Sequence, residues 1–167
     1  MGYASRLHYF SDWIGDNHRR GLLHNISGDL QGIVDHDAVN FMSRHPEAYP
    51  QLADSVNILL IRTTEERLSA AGRIYIPEDR INLVAQEIQD GDIIAATSTV
   101  PGLDVAHTGL ALWIDETLHL LHAPLVGEAV QISEVSLAER ISRIGGQDGI
   151  IVSRPEEQPQ HRTSLER

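Results

Sequence analysis

The chain has 167 residues, none of them cysteine, and its 24 acidic against 13 basic side chains give a net charge of -11 with the histidines neutral. Its length and its 41% hydrophobic content allow one sizeable core, which excludes disorder and a collagen-like structure and favours a single domain. The acidic excess argues against nucleic acid as a partner, and the lack of cysteine excludes disulfides, thiolate metal sites and a cysteine nucleophile within these residues.

The first part of the chain is predicted to begin with one amphipathic helix. Apolar residues recur at helical spacing between Ser5 and Gly21, and Gly21 is placed to end the helix. Residues 24–55 contain many turn signals and predict irregular structure. A short helix is allowed there around residues 47–53.

A second helix is predicted just before the middle of the chain. Thr63 and Glu66 have the spacing of a capping box, and Gly72 supplies a stop signal, so we expect a helix over residues 64–71. The next residues, 73–77, have the character of a strand, and residues 81–88 allow one more short helix.

After residue 91 the pattern changes to short β-branched and apolar runs separated by turns, as antiparallel strands require. A helix over residues 136–144 precedes the last strand, and residues 156–167 are predicted to be a frayed tail. The order of helices first and strands afterwards predicts an α+β fold, with residues 1–155 forming one domain. The predicted strands cover residues 92–98, 105–114, 118–123, 129–133 and 149–154.

Three histidines in two of these strands are the first candidates for chemistry. A turn at Asp115-Glu116 would fold the strands into a hairpin and bring His107 close to the second strand. Because side chains alternate along a strand, His119 and His122 point to opposite faces, and only one of them can share the face of His107.

The same alternation argues against a zinc site, because three ligands must converge and two of these histidines diverge on a regular strand. A bulge in the second strand would be needed to make them converge, so we expect no metal ion. We expect no cofactor either. The alternative interpretation is structural: one histidine exposed on a strand and the others hydrogen-bonded in the core.

The first helix carries a second candidate set. Tyr9 and Trp13 are four residues apart, as are His8 and Asp12, so an aromatic pair and a polar pair would each lie along one helix face. The alternative is an aromatic pair packed in the core beside a solvated ion pair.

Six short motifs occur in a fixed order along residues 3–154. They are Tyr3-Ala4-Ser5-Arg6-Leu7-His8-Tyr9 with Asp12-Trp13, Asn40-Phe41-Met42, Tyr75-Ile76-Pro77, Gly91-Asp92-Ile93-Ile94, Gly102-Leu103-Asp104 with His107 and Gly109, and Leu121-His122-Ala123. Taken together, these segments resemble the N-acetylmuramoyl-L-alanine amidase-like family, a branch of the NlpC-type, papain-like cysteine hydrolases of bacterial cell walls. The order of the motifs makes the resemblance fairly specific.

The resemblance implies a papain-like half-barrel of antiparallel strands packed on helices. In that family one histidine pairs with the cysteine nucleophile and a polar residue on the next strand orients it, roles that map onto His107 and His122. Family substrates are peptidoglycan stem peptides, so a peptidoglycan fragment or muropeptide is the expected partner. The residues expected to bind substrate are Arg6, His8, Tyr9, Asp12, Trp13 and Asp104.

One departure from the family bears on activity. The family's nucleophilic cysteine precedes the segment that begins at Tyr3, and this chain has no cysteine. We therefore expect an N-terminally truncated domain that is inactive alone and that pairs with the missing N-terminal segment. The alternative is a natural cysteine-free relative that binds muropeptide without cleaving it.

The resemblance also implies a location. Family substrates suggest the periplasm or cell envelope, although the first ten residues lack the hydrophobic core of a signal peptide. No apolar run approaches the roughly 18 residues of a membrane span, so we expect no membrane-spanning segment.

Overall fold

The computed structural model describes residues 2–125 and 129–157. Its centre is an antiparallel sheet. The strands described are β1 (Leu23–Asn25), β2 (Ile33–Asp35), β3 (Arg73–Pro77), β4 (Ile93–Ser98), β5 (Val105–Ile114), β6 (Thr117–His122), β7 (Gln131–Ile132) and β8 (Gln147–Pro155). Their order in the sheet is β2-β3-β8-β4-β5-β6-β7, and β1 pairs with β8 beside this path. Each strand pairs with its neighbours in antiparallel register.

Among the described residues, five α-helices and several short 3₁₀ turns accompany the sheet. The α+β class with an antiparallel sheet is confirmed, and β5 has the predicted bounds. None of the described helices is both long and apolar enough to cross a membrane. The helices are α1 (Phe10–Arg19), α2 (Phe41–Arg44), α3 (Ser55–Ala71), α4 (Ile81–Val84) and α5 (Leu137–Arg143).

The central strands are apolar at consecutive positions rather than at alternate ones, so they present apolar side chains on both faces of the sheet. Both faces are therefore covered by other elements. In β4, Ala95 belongs to a cluster with Ile14 of α1, whereas its neighbour Ile94 belongs to a cluster with Leu137 of α5. A third cluster, centred on Ile61, packs α3 against α2 and the 3₁₀ turns. Helix α1 and helix α5 therefore lie on opposite faces of the sheet.

The first helix is shorter than predicted. Residues 3–5 form a 3₁₀ turn, and the α-helix begins only at Phe10, with Tyr9 in an extended conformation at its N-cap. The side chain of Tyr9 is buried and anchored by a hydrogen bond to Glu65, so the backbone at this position is fixed by tertiary packing. The predicted helix over Ser5–Gly21 was wrong at its start.

The capping box at residue 63 was also wrong. Helix α3 begins nine residues earlier than predicted, at Ser55, where the carboxylate of Asp54 accepts a hydrogen bond from the backbone of Val56. Thr63 lies inside the helix, and its hydroxyl donates to the carbonyl of Leu59, a bond that satisfies it without a helix end. The predicted end is confirmed, since Gly72 takes a positive φ of 68° directly after the last helical residue.

Residues 24–55 are more regular than predicted. They contain β2, α2 and most of β1, three elements too short to show a periodic pattern. Two 3₁₀ turns, Pro46–Ala48 and Pro50–Ala53, replace the short helix allowed there, because each proline opens a separate turn. Most of the predicted tail lies outside the described residues, but the backbone of Glu156 donates a hydrogen bond to Leu22.

Candidate functional site

The hairpin of β5 and β6 brings two imidazoles together. A tight turn, in which Asp115 takes a positive φ of 53°, sets a register that places Leu110 opposite Leu121. Beyond this pair the side chains of His107 and His122 meet diagonally: Nε2 of His107 lies 2.8 Å from Nδ1 of His122. The two rings pack edge to face at 87°, with their centroids 4.9 Å apart.

The third histidine of the hairpin points away from this pair. His119 donates from Nδ1 to the carbonyl oxygen of Ser133 at 2.8 Å, as the alternation of side chains along β6 requires. Among the described residues, no group of three or more His, Asp or Glu side chains could hold a metal ion.

The surroundings of the pair favour neutral imidazoles. Burial and the nearby cation of Arg140 lower the pKa of His107. Burial, Arg140 and the neighbouring ring of His107 lower the pKa of His122, which is only 6% exposed. Each ring therefore resists protonation more than a solvated histidine does.

Sequence reasoning missed Arg140, the cation that faces this pair. It lies on α5, is buried, and makes one long contact from Nη1 to Oε1 of Gln147 at 3.4 Å. In the part of the chain that the structure describes, it has no carboxylate partner. The signal was available in the sequence, because Arg140 shares the apolar face of α5 with Leu137 and Ile141.

The pair lines an open cleft of about 670 Å³. The start of β5 and the end of β6 form one wall, and the segment around the beginning of α1 faces them. Sequence reasoning did not single out Phe10 and Tyr49 as cleft residues. The lining includes His8, Tyr9, Phe10, Met42, Tyr49, Asp104, His107, Leu110, Leu121 and His122.

Asp104 lines the cleft, but its carboxylate is already bound to the backbone. Oδ2 accepts from the amide of Ser11 in the first turn of α1, at 2.8 Å, and Oδ1 accepts from the amide of Val105 at 2.9 Å. With 2% exposure, this side chain caps α1 from a distance and fixes the helix against the start of β5.

Tyr9 contributes its ring to the cleft while its hydroxyl is engaged in the core. The hydroxyl donates to Oε1 of Glu65 at 2.7 Å and accepts from the amide of Met42 at 2.9 Å. Burial and the Glu65 carboxylate raise the pKa of Tyr9 well above its usual range. Glu65 was not predicted, although it sits between Ile61 and Leu68 on the buried face of α3.

Of the other residues predicted to bind substrate, one lines the cleft and three do not. His8 lines the cleft, where its Nε2 donates to the carbonyl of Tyr3 at 2.9 Å. Arg6, Asp12 and Trp13 do not line it. Arg6 is exposed before α1 begins.

The predicted pairs along the first helix were wrong, because His8 and Tyr9 precede that helix. Asp12 is buried and pairs with Arg67 of α3, with Oδ1 2.6 Å from Nη2. Trp13 stacks on Phe10 at 5.1 Å, not on Tyr9.

Comparisons with known proteins agree on one family. The family model described as N-acetylmuramoyl-L-alanine amidase-like matches residues 1–147. The chain is similar to the crystal structure of an N-acetylmuramoyl-L-alanine amidase from Bacteroides uniformis, with 36% sequence identity and a TM-score of 0.88, over 94% of this chain and 67% of that one. A search of curated proteins finds no match.

Two further structures are similar. A Bacteroides fragilis protein proposed to be a xylanase has 37% identity and a TM-score of 0.86, over 92% of this chain and 68% of its own. A Legionella pneumophila protein with 20% identity and a TM-score of 0.64, over 95% of this chain and 65% of its own, shares the fold.

Proposed function

Since the chain belongs to the N-acetylmuramoyl-L-alanine amidase-like family, we propose that it supplies the histidine half of a cysteine-dependent amidase active site. The substrate of the complete site is an amide bond of a peptidoglycan stem peptide. The observation that carries the proposal is the hydrogen bond of 2.8 Å between His107 and His122 at the edge of the cleft.

We infer a role for each ring nitrogen from the geometry of this bond. A general base needs an unprotonated nitrogen directed at its substrate. Because Nε2 of His107 is engaged with His122, the free nitrogen is Nδ1. In the competent tautomer, Nε2–H of His107 donates to Nδ1 of His122, and His122 carries its own proton on Nε2. His122 thus keeps Nδ1 of His107 available for a proton.

The chemistry then follows from that free nitrogen. Nδ1 of His107 takes the proton of a cysteine thiol, and the thiolate attacks the amide carbonyl. The imidazolium returns the proton to the leaving amine, and water hydrolyses the resulting thioester. Burial and the cation of Arg140 lower the pKa of His107, which keeps the base unprotonated at neutral pH.

The thiol must come from outside these 167 residues, because they contain no cysteine. Ser5 cannot replace it, since its hydroxyl donates to the carbonyl of Gly2 and lies outside the cleft. We propose that the chain is the larger part of a papain-like, NlpC-type domain. The share of the Bacteroides uniformis amidase that it covers, 67%, leaves room for such a segment.

The charges in the cleft favour amide over glycoside hydrolysis. Glycosidases act through two carboxylates on either side of the scissile bond. Among the described residues lining the cleft, Asp104 is the one carboxylic acid, and backbone amides bind both of its oxygens. We accordingly restrict the proposed substrate contacts to the rings of His8 and Tyr9. The proposed location of the protein is the periplasm or cell envelope, where peptidoglycan substrates occur.

The test has a genetic and a kinetic step. The DNA upstream of Met1 is read for an in-frame cysteine codon, and the extended protein is expressed and assayed for new amino termini released from a muropeptide. We expect His107→Ala to lower turnover by about 10²-fold or more. The matched control His119→Ala, on the same hairpin but facing away, keeps turnover within a few-fold.

Two results would contradict the proposal. One is hydrolysis by an extended protein without cysteine, and the other is full turnover by His107→Ala. A stop codon directly upstream, together with saturable muropeptide binding and no cleavage by this chain, would identify a non-catalytic binding domain instead.

A further inference from the structure

A second cavity lies behind α1 and shares no lining residue with the cleft. Its volume is about 430 Å³, within the range of sites that hold drug-sized ligands. Ile14 of α1, Leu68 of α3 and Ile151 of β8 give it an apolar floor. The cavity can therefore bury the apolar part of a ligand against three different elements.

Three guanidinium groups border this cavity, and each has unused donors. Arg19, Arg67 and Arg73 each contact one aspartate through Nη2. A guanidinium offers five N–H donors, and within the described residues each of these three groups makes only its aspartate contact. A ligand carboxylate or peptide carbonyl is the natural acceptor for such groups.

Two residues of the cavity lining each have a buried polar atom without a partner. Four buried side-chain polar atoms of the described residues make no hydrogen bond, and two of them, Oγ of Ser11 and Nε of Arg73, belong to residues that line this cavity. Buried polar groups without partners are rare. Because both atoms are buried, they lie beneath the cavity surface, and the ligand contacts must come from the other polar groups of the lining.

The balance of charge defines the ligand. Each of the three arginines has an aspartate partner, although Arg19 shares Asp16 with Arg20. The exposed Asp29, also in the lining, makes no ion pair in the described part of the chain. A simple anion would be repelled by this carboxylate, whereas an ammonium group would pair with it.

We propose that the cavity behind α1 binds a short zwitterionic peptide. Its ammonium group pairs with Asp29, its carboxylate accepts from the free guanidinium donors, and its side chains cover the apolar floor. This inference is independent of the cysteine and of the proposed hydrolysis.

The experiment titrates this chain with three forms of one dipeptide, leucyl-alanine, by isothermal calorimetry. The free zwitterion is compared with its N-acetyl derivative and with its C-terminal amide. We expect saturable binding of the zwitterion and an affinity about tenfold lower for each blocked form, because each loses one charge-assisted hydrogen bond.

Two variants locate the binding. Gly15 lies in α1 facing the cavity, and a Cβ there would meet only Nη1 of Arg19, at 3.5 Å. Gly15→Leu therefore fills the cavity while improving helix propensity, and we expect it to abolish binding. Asp29→Asn lowers the affinity for the zwitterion to that of the N-acetyl form, while the matched exposed control Asp37→Asn leaves it unchanged.

The proposal is overturned if the zwitterion shows no saturable binding, or if the three forms bind equally well. It is also overturned if Gly15→Leu, folded by circular dichroism, binds the zwitterion as tightly as the unmodified chain does. In that case the peptide occupies another surface.

Discussion

Replacing His122 tests which of its ring nitrogens accepts the hydrogen bond from Nε2–H of His107. In asparagine, Oδ1 is as many bonds from the backbone as Nδ1 of histidine, so His122→Asn keeps an acceptor where Nε2–H of His107 donates. In His122→Gln the oxygen lies one bond farther out, where Nε2 would be. His122→Ala removes the acceptor altogether.

The expected losses in the free energy of unfolding follow from the burial of these side chains. His122 is 6% exposed, so losing its acceptor leaves the Nε2–H of a half-buried His107 unpaired, at a cost of about 1–3 kcal/mol in the free energy of unfolding. His122→Asn restores the bond and loses only the edge-to-face ring contact, about 1 kcal/mol. We expect the stability order wild type, Asn, then Gln and Ala together.

Urea unfolding at pH 8 measures these differences in the free energy of unfolding. The slope m, which is the dependence of that free energy on urea concentration, should be the same for all variants if the unfolding transition is unchanged. His119→Asn serves as the control on the opposite face. A glutamine variant as stable as the asparagine variant would refute the assigned nitrogen, and an alanine variant as stable as wild type would refute the hydrogen bond itself.

Three further predictions concern the surroundings of the site. Arg140→Gln removes a cation that lowers the pKa of both paired histidines, so both pKa values rise toward 6.5 in an NMR titration. In the unmodified chain, the unfolded state takes up protons at a higher pH than the folded state does. The contribution of the two histidines to the free energy of unfolding is therefore fully present above about pH 6.5 and falls as the pH drops below it. An unchanged titration would contradict this. Asp92→Ala breaks a buried carboxylate's two-point contact with the partly exposed Arg154, at 2.7 and 2.9 Å, and is expected to cost about 1.5–3 kcal/mol in urea unfolding, so a loss below 1 kcal/mol would argue against it. Tyr9→Phe leaves the buried carboxylate of Glu65 with one hydrogen bond fewer and is expected to cost about 1–3 kcal/mol, whereas wild-type stability would show the contact to be incidental.

The sequence was most informative where structure is local. The hairpin of β5 and β6 needs only a turn and two regular strands, so side-chain alternation along β6 was enough to assign His119 and His122 to opposite faces. That His107 and His122 would lie within hydrogen-bonding distance depends on register and ring orientation, which alternation does not determine.

Prediction failed where distant contacts set the backbone. The start of α1 is fixed by the bonds of Tyr9 to Glu65 and of Ser11 to Asp104, partners 56 and 93 residues away in the sequence. The capping box at Thr63 was a valid local pattern, but a longer helix that buries Ile61 and Leu68 overrode it. The short β1 and β2 form by pairing with strands far along the chain.

The most direct test of the account is the protonation state of the histidine pair, read by ¹⁵N NMR correlation of the imidazole nitrogens at pH 8. We expect His107 to carry its proton on Nε2 and to leave Nδ1 bare, and His122 to carry its proton on Nε2 with Nδ1 accepting. A proton found on Nδ1 of His107 would contradict the account, because the nitrogen assigned as the base would then be occupied.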